Sequence, residues 1–221
     1  FPTANIQQGY GLTETSPILT TLDEDIHVRA METGEYKILK AAGRPLVGID
    51  MRIVDPDGNE VPTGEDGEVV VRGPNVTAGY LNRPEENERA FRNGWFHTGD
   101  VGKMNENGFM FLLDRKKDMI ITGGENVYSS EVEAALYQHD DVHECAVVGI
   151  PDEKYGEALF AAIVPRPGAK LTEDAIIEHC RGRIGGYKIP RQMAFLDELP
   201  KSAMGKILKT EIRKTYGDAS S

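Results

Sequence analysis

An aromatic ring, a hydroxyl and a carboxylate follow one another closely near the start of the sequence. Glycines flank Tyr10, and with Gly11 behind it the backbone can approach a planar group while the ring stacks on that group. Thr13 and Glu14 supply hard oxygen atoms of the kind that bind a phosphate-bound Mg²⁺. The same pattern also fits an ordinary loop with a turn, so these residue types alone leave the choice open.

Two further charged residues follow glycines later in the chain. Asp100 comes directly after a Thr-Gly pair, and a carboxylate in that setting can accept the protons of both ribose hydroxyls. Lys206 follows Gly205 in a polar loop, where an extended ammonium can lie between two anions. Each residue also has an ordinary explanation: a turn or capping aspartate in the first case, and a solvent-facing lysine in the second.

The middle of the chain predicts a charged joint between two strands. An Asn-Gly pair precedes the apolar run 109–113, and this pair is a strong hairpin signal because both residues tolerate positive φ. The run stops at residues 114–118, which are all charged and cannot all be buried. A second apolar strand, 119–121, then ends near Gly123 and Gly124. This order predicts a boundary that moves, followed by backbone that lies close to a ligand.

The region before this joint is patterned as a small β structure. Apolar segments at 51–54 and 67–73 are separated by a turn rich in proline and glycine, which is typical of a small barrel or sandwich. A short helix is expected around 85–91. We interpret Arg72 and Tyr80 as surface and core residues rather than as ligand contacts.

The region after the joint is patterned as a compact unit of sheet and helices. Ser130 and Glu133 have the spacing of a capping box at the start of a helix. Two apolar strands are expected at 145–150 and 158–164, around a polar turn. Thr172 would cap a further helix.

Composition excludes some classes of function. Acidic residues outnumber basic ones by 36 to 25, for a net charge of −11, which argues against a nucleic-acid partner. No apolar run approaches the length of a membrane span, so we expect no integral membrane segment. Cys145 and Cys180 lack metal-ligand or redox spacing and favour buried thiols in a reducing, cytoplasmic setting.

Five blocks of the sequence resemble, in order and spacing, the adenylate-forming acyl-CoA synthetases (AMP-dependent synthetases and ligases). The blocks are residues 10–14, 94–100, 114–118, 123–127 and 200–206. The resemblance covers nearly the whole chain and implies an α/β fold with a β-rich part. Residues 1–115 would form the C-terminal part of the family's large domain, ending in a β-barrel-like subdomain, and residues 116–221 a mobile α+β lid.

The resemblance also implies roles for the residues of the first two blocks. Tyr10 and Gly11 would lie against the adenine of the nucleotide. Thr13 would contact phosphate, and Glu14 would support the Mg²⁺ ion. Asp100, the aspartate of the Thr-Gly-Asp block, would bind the ribose hydroxyls.

The later blocks would serve both the nucleotide and the acyl acceptor. Arg115 would reach the ribose or phosphate side, and its guanidinium suits that contact. Lys117 occupies the place of the family's hinge residue. Gly123 and Gly124 would leave room for the pantetheine arm of coenzyme A. Lys206 would be the adenylation lysine.

The implied chemistry has two half-reactions. A carboxylic acid attacks the α-phosphate of ATP to give an acyl-adenylate and pyrophosphate, with Mg²⁺ offsetting the charge. The thiol of coenzyme A then takes the acyl group and releases AMP. The Gly-Gly-Glu-Asn sequence and the turn 151–157 are most similar to medium- and long-chain fatty acyl-CoA ligases, so a fatty acid is the preferred acid.

One departure from the family pattern affects activity. The Ser/Thr/Gly-rich phosphate loop and most of the acyl pocket belong upstream of the Tyr10 block and are absent from these residues. We therefore expect this chain alone to be a poor catalyst or inactive. We expect the missing N-terminal segment to act as its partner, either as part of a longer gene product or on a second chain.

Three other functions remain open from the sequence. The chain could be a non-catalytic fragment that binds a nucleotide or a partner. It could belong to a peptide-synthetase adenylation domain, which shares these blocks but is normally followed by a carrier domain. A luciferase-like oxygenase shares the fold, but no residue in this sequence distinguishes it.

Overall fold

The computed structural model of the protein describes residues 6–217. The chain divides into two compact units, Phe1–Lys116 and Lys117–Ser221. Both units combine strands with helices, and most of the strands of the first unit form one open, barrel-like sheet. The predicted α/β class with a β-rich first part is therefore confirmed.

The first unit begins with a small three-stranded antiparallel sheet in the order β1-β2-β3. Its elements are β1 (Gln8–Tyr10), β2 (Thr20–Leu22), helix α1 (Glu24–Thr33) and β3 (Arg44–Pro45). A 3₁₀ turn, Thr13–Thr15, lies between the first two strands. Tyr10 therefore ends a strand, and Glu14 follows in a tight turn.

The larger sheet of the first unit has five strands, and its longest strand pairs with three others. Its elements are β4 (Asp50–Val54), β5 (Gly67–Arg72), helix α2 (Pro84–Ala90), β6 (Phe91–Arg92), β7 (Trp95–Met104) and β8 (Met110–Arg115). One edge of β7 pairs with β5, while β6 and β8 share the other edge. The predicted strands and short helix of this region are confirmed with small changes of boundary.

The β7–β8 hairpin places two predicted site residues opposite each other. Its connection is longer than a two-residue turn. Within it, Oδ1 of Asn105 accepts hydrogen bonds from the backbone N–H groups of Asn107 and Phe109. An irregularity after Val101 shifts the register, and Asp100 then lies directly opposite Arg115. The hairpin predicted from Asn-Gly is present, and its register brings these two charges together.

The second unit is built on another five-stranded sheet, in the order β10-β9-β12-β11 with β13 on β12. Its strands are β9 (Ile120–Thr122), β10 (Glu125–Val127), β11 (Val142–Asp152), β12 (Gly156–Pro165) and β13 (Gln192–Phe195). Its helices are α3 (Ser129–Leu136), α4 (Glu173–Cys180) and α5 (Lys209–Gly217). β13 runs parallel to β12, and the other pairs are antiparallel.

Both faces of this second sheet are covered by helices. Alternate residues of β11, such as Val147 and Val148, belong to two different hydrophobic clusters. One cluster includes residues of α3 and α4, and the other includes Ile212 of α5. Because side chains alternate along a strand, burial on both faces explains why β11 and β12 are continuous apolar runs.

The two predicted helix starts have different outcomes. Thr172 caps α4 as expected, since its hydroxyl accepts the backbone N–H of Ala175. The capping box at Ser130 and Glu133 is wrong, because the N-cap of α3 is Tyr128 and it makes no side-chain cap. Glu133 instead accepts the backbone N–H of Val147 on β11. A tertiary contact has replaced the local one.

No helix within residues 6–217 is both long enough and apolar enough to cross a membrane.

Candidate functional site

In the first unit, Tyr10, Asp100 and Arg115 meet around a single carboxylate. The Tyr10 hydroxyl donates to Oδ2 of Asp100 at 2.7 Å, and Nε of Arg115 lies 3.3 Å from Oδ1. Asp100 is only 4% exposed, whereas the Arg115 side chain is 57% exposed. Each carboxylate oxygen has a second lone pair, so Asp100 keeps the capacity to accept two further protons. This arrangement suits a buried acceptor of a pair of hydroxyl groups.

Tyr10 is a fixed proton donor in this cluster. Burial and the neighbouring Asp100 carboxylate raise the pKa of the Tyr10 phenol well above its usual value. The hydroxyl therefore stays protonated at neutral pH and continues to donate to Asp100. This bond also sets the position of the ring, which the resemblance places against adenine.

The packing of the chain around residue 11 requires a glycine there. A Cβ atom at this position would meet the carbonyl oxygen of Pro17 at 1.9 Å. That distance is far below any real contact, so the chain can return along β2 only if residue 11 has no side chain. The proposed contact of Gly11 with adenine is an additional role that this packing does not require.

Glu14 is held by a segment that lies far from it in the sequence. Its carbonyl oxygen accepts the backbone N–H of Thr77 at 2.8 Å, and its Oε1 accepts the hydroxyl of Tyr80 at 2.9 Å. Asn75 donates to the carbonyl oxygen of Thr15 at 2.6 Å. Thr13 starts the same turn and is exposed. Tyr80, interpreted from the sequence as a scaffold residue, is thus a direct partner of the predicted metal ligand.

The acidic residues do not form a metal cage of their own. Within residues 6–217 no group of three or more His, Cys, Asp or Glu side chains is arranged to hold a metal ion. Mg²⁺ commonly binds proteins through one or two carboxylates together with substrate phosphates. The Glu14 carboxylate, next to the exposed residue Thr13, fits a site in which one carboxylate and the substrate phosphates share the ion.

A second buried carboxylate, that of Glu68, lies close to three basic side chains. Its Oε2 lies 2.9 Å from Nζ of Lys116, 3.1 Å from Nδ1 of His97 and 3.5 Å from Nη2 of Arg92. Burial alone would raise the pKa of Glu68, but hydrogen bonds from Lys116 and His97 outweigh burial and hold the pKa below its usual range. His97, which received no role from the sequence, therefore belongs to the group of side chains around Glu68.

The residues on either side of Lys117 are attached to different units. Lys117 lies in the 3₁₀ turn Lys116–Asp118, at the boundary between the two units. Lys116 pairs with Glu68 inside the first unit, and Asp118 pairs with Arg213 at 2.8 Å inside the second. Lys117 itself is exposed, and its hinge role remains a prediction.

In the second unit, Gly123 and Gly124 form the turn of the β9–β10 hairpin. Their φ angles are +61° and +86°, and the flanking residues Thr122 and Glu125 are paired. A two-residue hairpin turn with both φ angles positive strongly favours glycine. The pair is exposed and presents bare backbone to its surroundings.

An aromatic residue and two basic ones lie next to this glycine turn. The carbonyl oxygen of Tyr155 accepts the N–H of Gly123 at 2.9 Å. The guanidinium of Arg191 covers the Tyr155 ring at 4.0 Å from the centroid, and Nζ of Lys154 lies 5.0 Å from it. The turn 151–157, which contains Lys154 and Tyr155, resembles fatty acyl-CoA ligases, but the sequence predicted no ligand contact for these three side chains, because each looks like an ordinary turn or loop residue in isolation.

Lys206 lies near the tip of a short hairpin. Lys201 and Ile207 form an antiparallel bridge, and the N–H of Ser202 donates to the carbonyl oxygen of Lys206 at 2.8 Å. Gly205 has a φ of +78°, which closes the turn. The ammonium of Lys206 is exposed and has no acidic partner among the residues that the structure describes.

The two lysines that flank Lys206 are both paired. Lys201 contacts the Glu144 carboxylate at 2.6 Å, and Lys209 contacts Glu133 at 2.7 Å and the hydroxyl of Ser129 at 2.7 Å. Lys201 precedes the hairpin tip, and Lys209 begins α5. These contacts hold both ends of the hairpin, and Lys206 has no acidic partner in the part of the chain that the structure describes.

Replacing Lys209 by methionine should destabilise the chain by about 2 kcal/mol, because the partly buried Glu133 loses its charge partner. Both side chains of this pair are 18% exposed. The free energy of unfolding in urea would be compared with that of Arg181→Met, which breaks the exposed pair of Arg181 with Glu178. That control should cost less than about 1 kcal/mol. Equal effects for the two variants would show that Lys209 does not anchor the hairpin.

Within each unit the structure brings some of the predicted site residues together. Tyr10, Asp100 and Arg115 share one cluster in the first unit. In the second unit, Gly123 and Lys206 lie on separate hairpins. Contacts between residues that are far apart in the sequence, such as Tyr80 with Glu14, could not be predicted from the local residue pattern.

Comparison with known proteins matches both parts of the chain to models of one protein family. Residues 1–81 match the family model described as AMP-binding enzyme, and residues 131–206 match the AMP-binding enzyme C-terminal domain. The chain is 45% identical to a feruloyl-CoA synthase of an Amycolatopsis species over 95% of the chain and 41% of that protein. It is 43% identical to a long-chain-fatty-acid–CoA ligase of Salmonella typhimurium, over 93% of the chain and 35% of that protein.

A solved structure shows the same likeness in three dimensions. The o-succinylbenzoate CoA synthetase of Bacillus subtilis, in complex with its acyl-adenylate intermediate, matches with a TM-score of 0.84 and 38% identity. The match covers 95% of this chain and 41% of that one. The chain thus spans less than half the length of each of these three proteins.

Proposed function

Because the chain belongs to the AMP-binding family of adenylate-forming enzymes, we propose that it is part of an acyl-CoA synthetase. Such an enzyme joins a carboxylic acid to AMP from ATP and then passes the acyl group to coenzyme A. Residues 1–115 would supply the nucleotide site, and residues 116–221 would act as the lid. The observation that carries this proposal is the buried Asp100 carboxylate, fixed by Tyr10 and Arg115.

In the first half-reaction, Asp100 binds the two ribose hydroxyls of the nucleotide. Arg115, which is half exposed and already oriented by Asp100, meets the ribose or phosphate oxygens. Thr13 contacts the phosphate, and Glu14 binds the Mg²⁺ that travels with ATP. That ion offsets phosphate charge when it is bound. The role of these residues is to position the α-phosphate for attack.

Lys206 stabilises the charge that builds up during adenylation. Lys206 is exposed and has no ion pair among the described residues, so no internal ion pair has to break before it meets an anion. Placed between the substrate carboxylate and the phosphate, it lowers the repulsion between them. Lys117 allows the unit that carries Lys206 to turn away afterwards.

The second half-reaction uses the glycine turn. The exposed backbone of Gly123 and Gly124 gives space for the narrow pantetheine arm of coenzyme A. Tyr155, Arg191 and Lys154 beside the turn supply one ring and two positive charges, which suit the nucleotide end of coenzyme A. The thiol then attacks the acyl carbonyl, and AMP leaves.

For the acid, we propose a fatty acid. The Gly-Gly-Glu-Asn turn and the 43% identity to the Salmonella long-chain-fatty-acid–CoA ligase support this choice. Aromatic acids are the alternative, because the feruloyl-CoA synthase is 45% identical. Both cysteines are free and buried, which supports the proposal of a reducing, cytoplasmic location.

The test is detection of products by mass spectrometry. The full-length gene product that contains these residues would receive ATP, Mg²⁺, coenzyme A and a panel of fatty, aromatic and short-chain acids. Formation of AMP and one acyl-CoA supports the proposal and identifies the acid. An acyl-adenylate without acyl-CoA would favour a peptide-synthetase-type adenylation domain. If no AMP forms with any acid, the chain is a non-catalytic binding fragment.

Replacing Asp100 by asparagine should raise the KM for ATP by on the order of 10- to 100-fold, because hydrogen bonds to a charged acceptor are lost. Initial rates at varied ATP would measure this change. Asp50→Asn is the matched control, since Asp50 pairs with Arg72 on the exposed surface. An unchanged KM in Asp100→Asn would remove Asp100 from the nucleotide site.

A further inference from the structure

Tyr80 approaches Glu14 from a position that its own neighbours set. Its backbone N–H donates to Oδ1 of Asn87 at 2.6 Å, and its carbonyl accepts from the same side chain at 2.8 Å. The ring meets Phe91 edge-on, with centroids 6.3 Å apart. Tyr80 therefore has a fixed backbone and a packed ring even without its hydroxyl.

Within residues 6–217, the hydroxyl of Tyr80 has one hydrogen-bond partner, the Oε1 atom of Glu14. The Tyr80 hydroxyl donates this hydrogen bond at 2.9 Å. Among the described residues, Oε2 of Glu14 has no hydrogen-bond partner.

The backbone of the Glu14 turn does not depend on that hydroxyl. Thr77 donates its N–H to the carbonyl of Glu14, and Asn75 donates to the carbonyls of Thr15 and Ile18. The turn is therefore fixed by backbone contacts, while Tyr80 acts on the carboxylate alone. Removing the hydroxyl should change the orientation of one side chain and leave the fold unchanged.

We propose that Tyr80 is a positioning residue for the Mg²⁺–nucleotide site, whose hydroxyl holds Oε1 of Glu14 and leaves Oε2 to bind the metal. A glutamate side chain has several rotatable bonds, and fixing it before metal binding avoids that loss of freedom. The proposal rests on the proposed function, because the metal arrives with ATP. In this proposal Tyr80 acts through Glu14 and not directly on the substrate or the metal.

The test is Tyr80→Phe in the full-length gene product, with Mn²⁺ as the probe. Electron paramagnetic resonance would measure Mn²⁺ binding in the presence of ATP, and we expect roughly tenfold weaker binding because a hydrogen bond to a charged group is lost. The Mg²⁺ concentration for half-maximal adenylation should rise by a similar factor. The rate at saturating Mg²⁺ should stay within about twofold of the unaltered enzyme.

Tyr137→Phe is the matched control, because its hydroxyl contacts only the backbone of Cys145 among the hydrogen bonds described. It should leave Mn²⁺ binding unchanged. In a Glu14→Gln background, adding Tyr80→Phe should not weaken Mn²⁺ binding further. If Tyr80→Phe lowers stability, a further loss of Mn²⁺ binding in this background would show that the loss does not act through Glu14. Unchanged Mn²⁺ binding in a folded Tyr80→Phe variant, with AMP still formed, overturns this inference alone. If the unaltered enzyme forms no AMP, the proposed function fails, and the Tyr80 assignment fails with it.

Discussion

Lys206→Ala is expected to slow acyl-adenylate formation by on the order of 100- to 1000-fold, the usual effect of removing a group that stabilises developing charge. Lys206 has no acidic partner among the described residues, so its loss should not change stability. The second half-reaction, started from synthetic acyl-adenylate and coenzyme A, should be spared, because the proposed rotation about Lys117 would by then have withdrawn the lysine. Pyrophosphate release and acyl-CoA formation would be measured separately in the full-length gene product.

Lys214→Ala is the matched control for this experiment, since Lys214 is also an exposed lysine of the second unit. It should behave as the unaltered enzyme does in both half-reactions. Loss of both half-reactions in Lys206→Ala would indicate a general disturbance of the site. A Lys206→Ala variant that retained half of the normal adenylation rate would show that this lysine is not the adenylation residue.

The 221-residue chain by itself is expected to form no detectable AMP. The resemblance places a phosphate loop upstream of the Tyr10 block, and only nine residues precede Tyr10 here. Without that loop, the β- and γ-phosphates of ATP lack the backbone N–H groups that would hold them. Mass spectrometry of AMP and a pyrophosphate assay would test this expectation with the same acid panel.

Addition of an upstream segment from a relative provides the control. The chain joined to the preceding part of the Bacillus o-succinylbenzoate CoA synthetase should form AMP with o-succinylbenzoate. Urea unfolding of the short chain would show that the second unit is folded when activity is absent. Pyrophosphate release by the short chain at about 1 s⁻¹ or faster, the range of ordinary enzymes, would contradict the requirement for the upstream loop.

Local patterns predicted the elements whose stabilisation is also local. The strands β11 and β12 follow from continuous apolar runs, and the cap at Thr172 follows from one side chain and a nearby N–H. The glycine turn at Gly123 and Gly124 follows from backbone conformation alone. In each case the physical cause lies within a few residues of its effect.

The contacts that complete the site depend on register and on distant segments. Asp100 faces Arg115 only because an irregularity after Val101 shifts the pairing of β7 with β8. Glu133 looked like half of a capping box, yet it binds Lys209 from the other end of the unit. Pairs of this kind are formed by packing, and a single sequence carries no periodic signal for them.

The two ion pairs beside Lys117 also bear on how such proteins could exchange parts during evolution. The Lys116–Glu68 pair lies wholly in the first unit, and the Asp118–Arg213 pair lies wholly in the second. A recombination point between these neighbours would therefore inherit each pair intact, with both partners coming from the same parent. A descendant could acquire a different second unit without leaving either Glu68 or Arg213 short of these partners. The two units could then diverge independently on either side of this boundary.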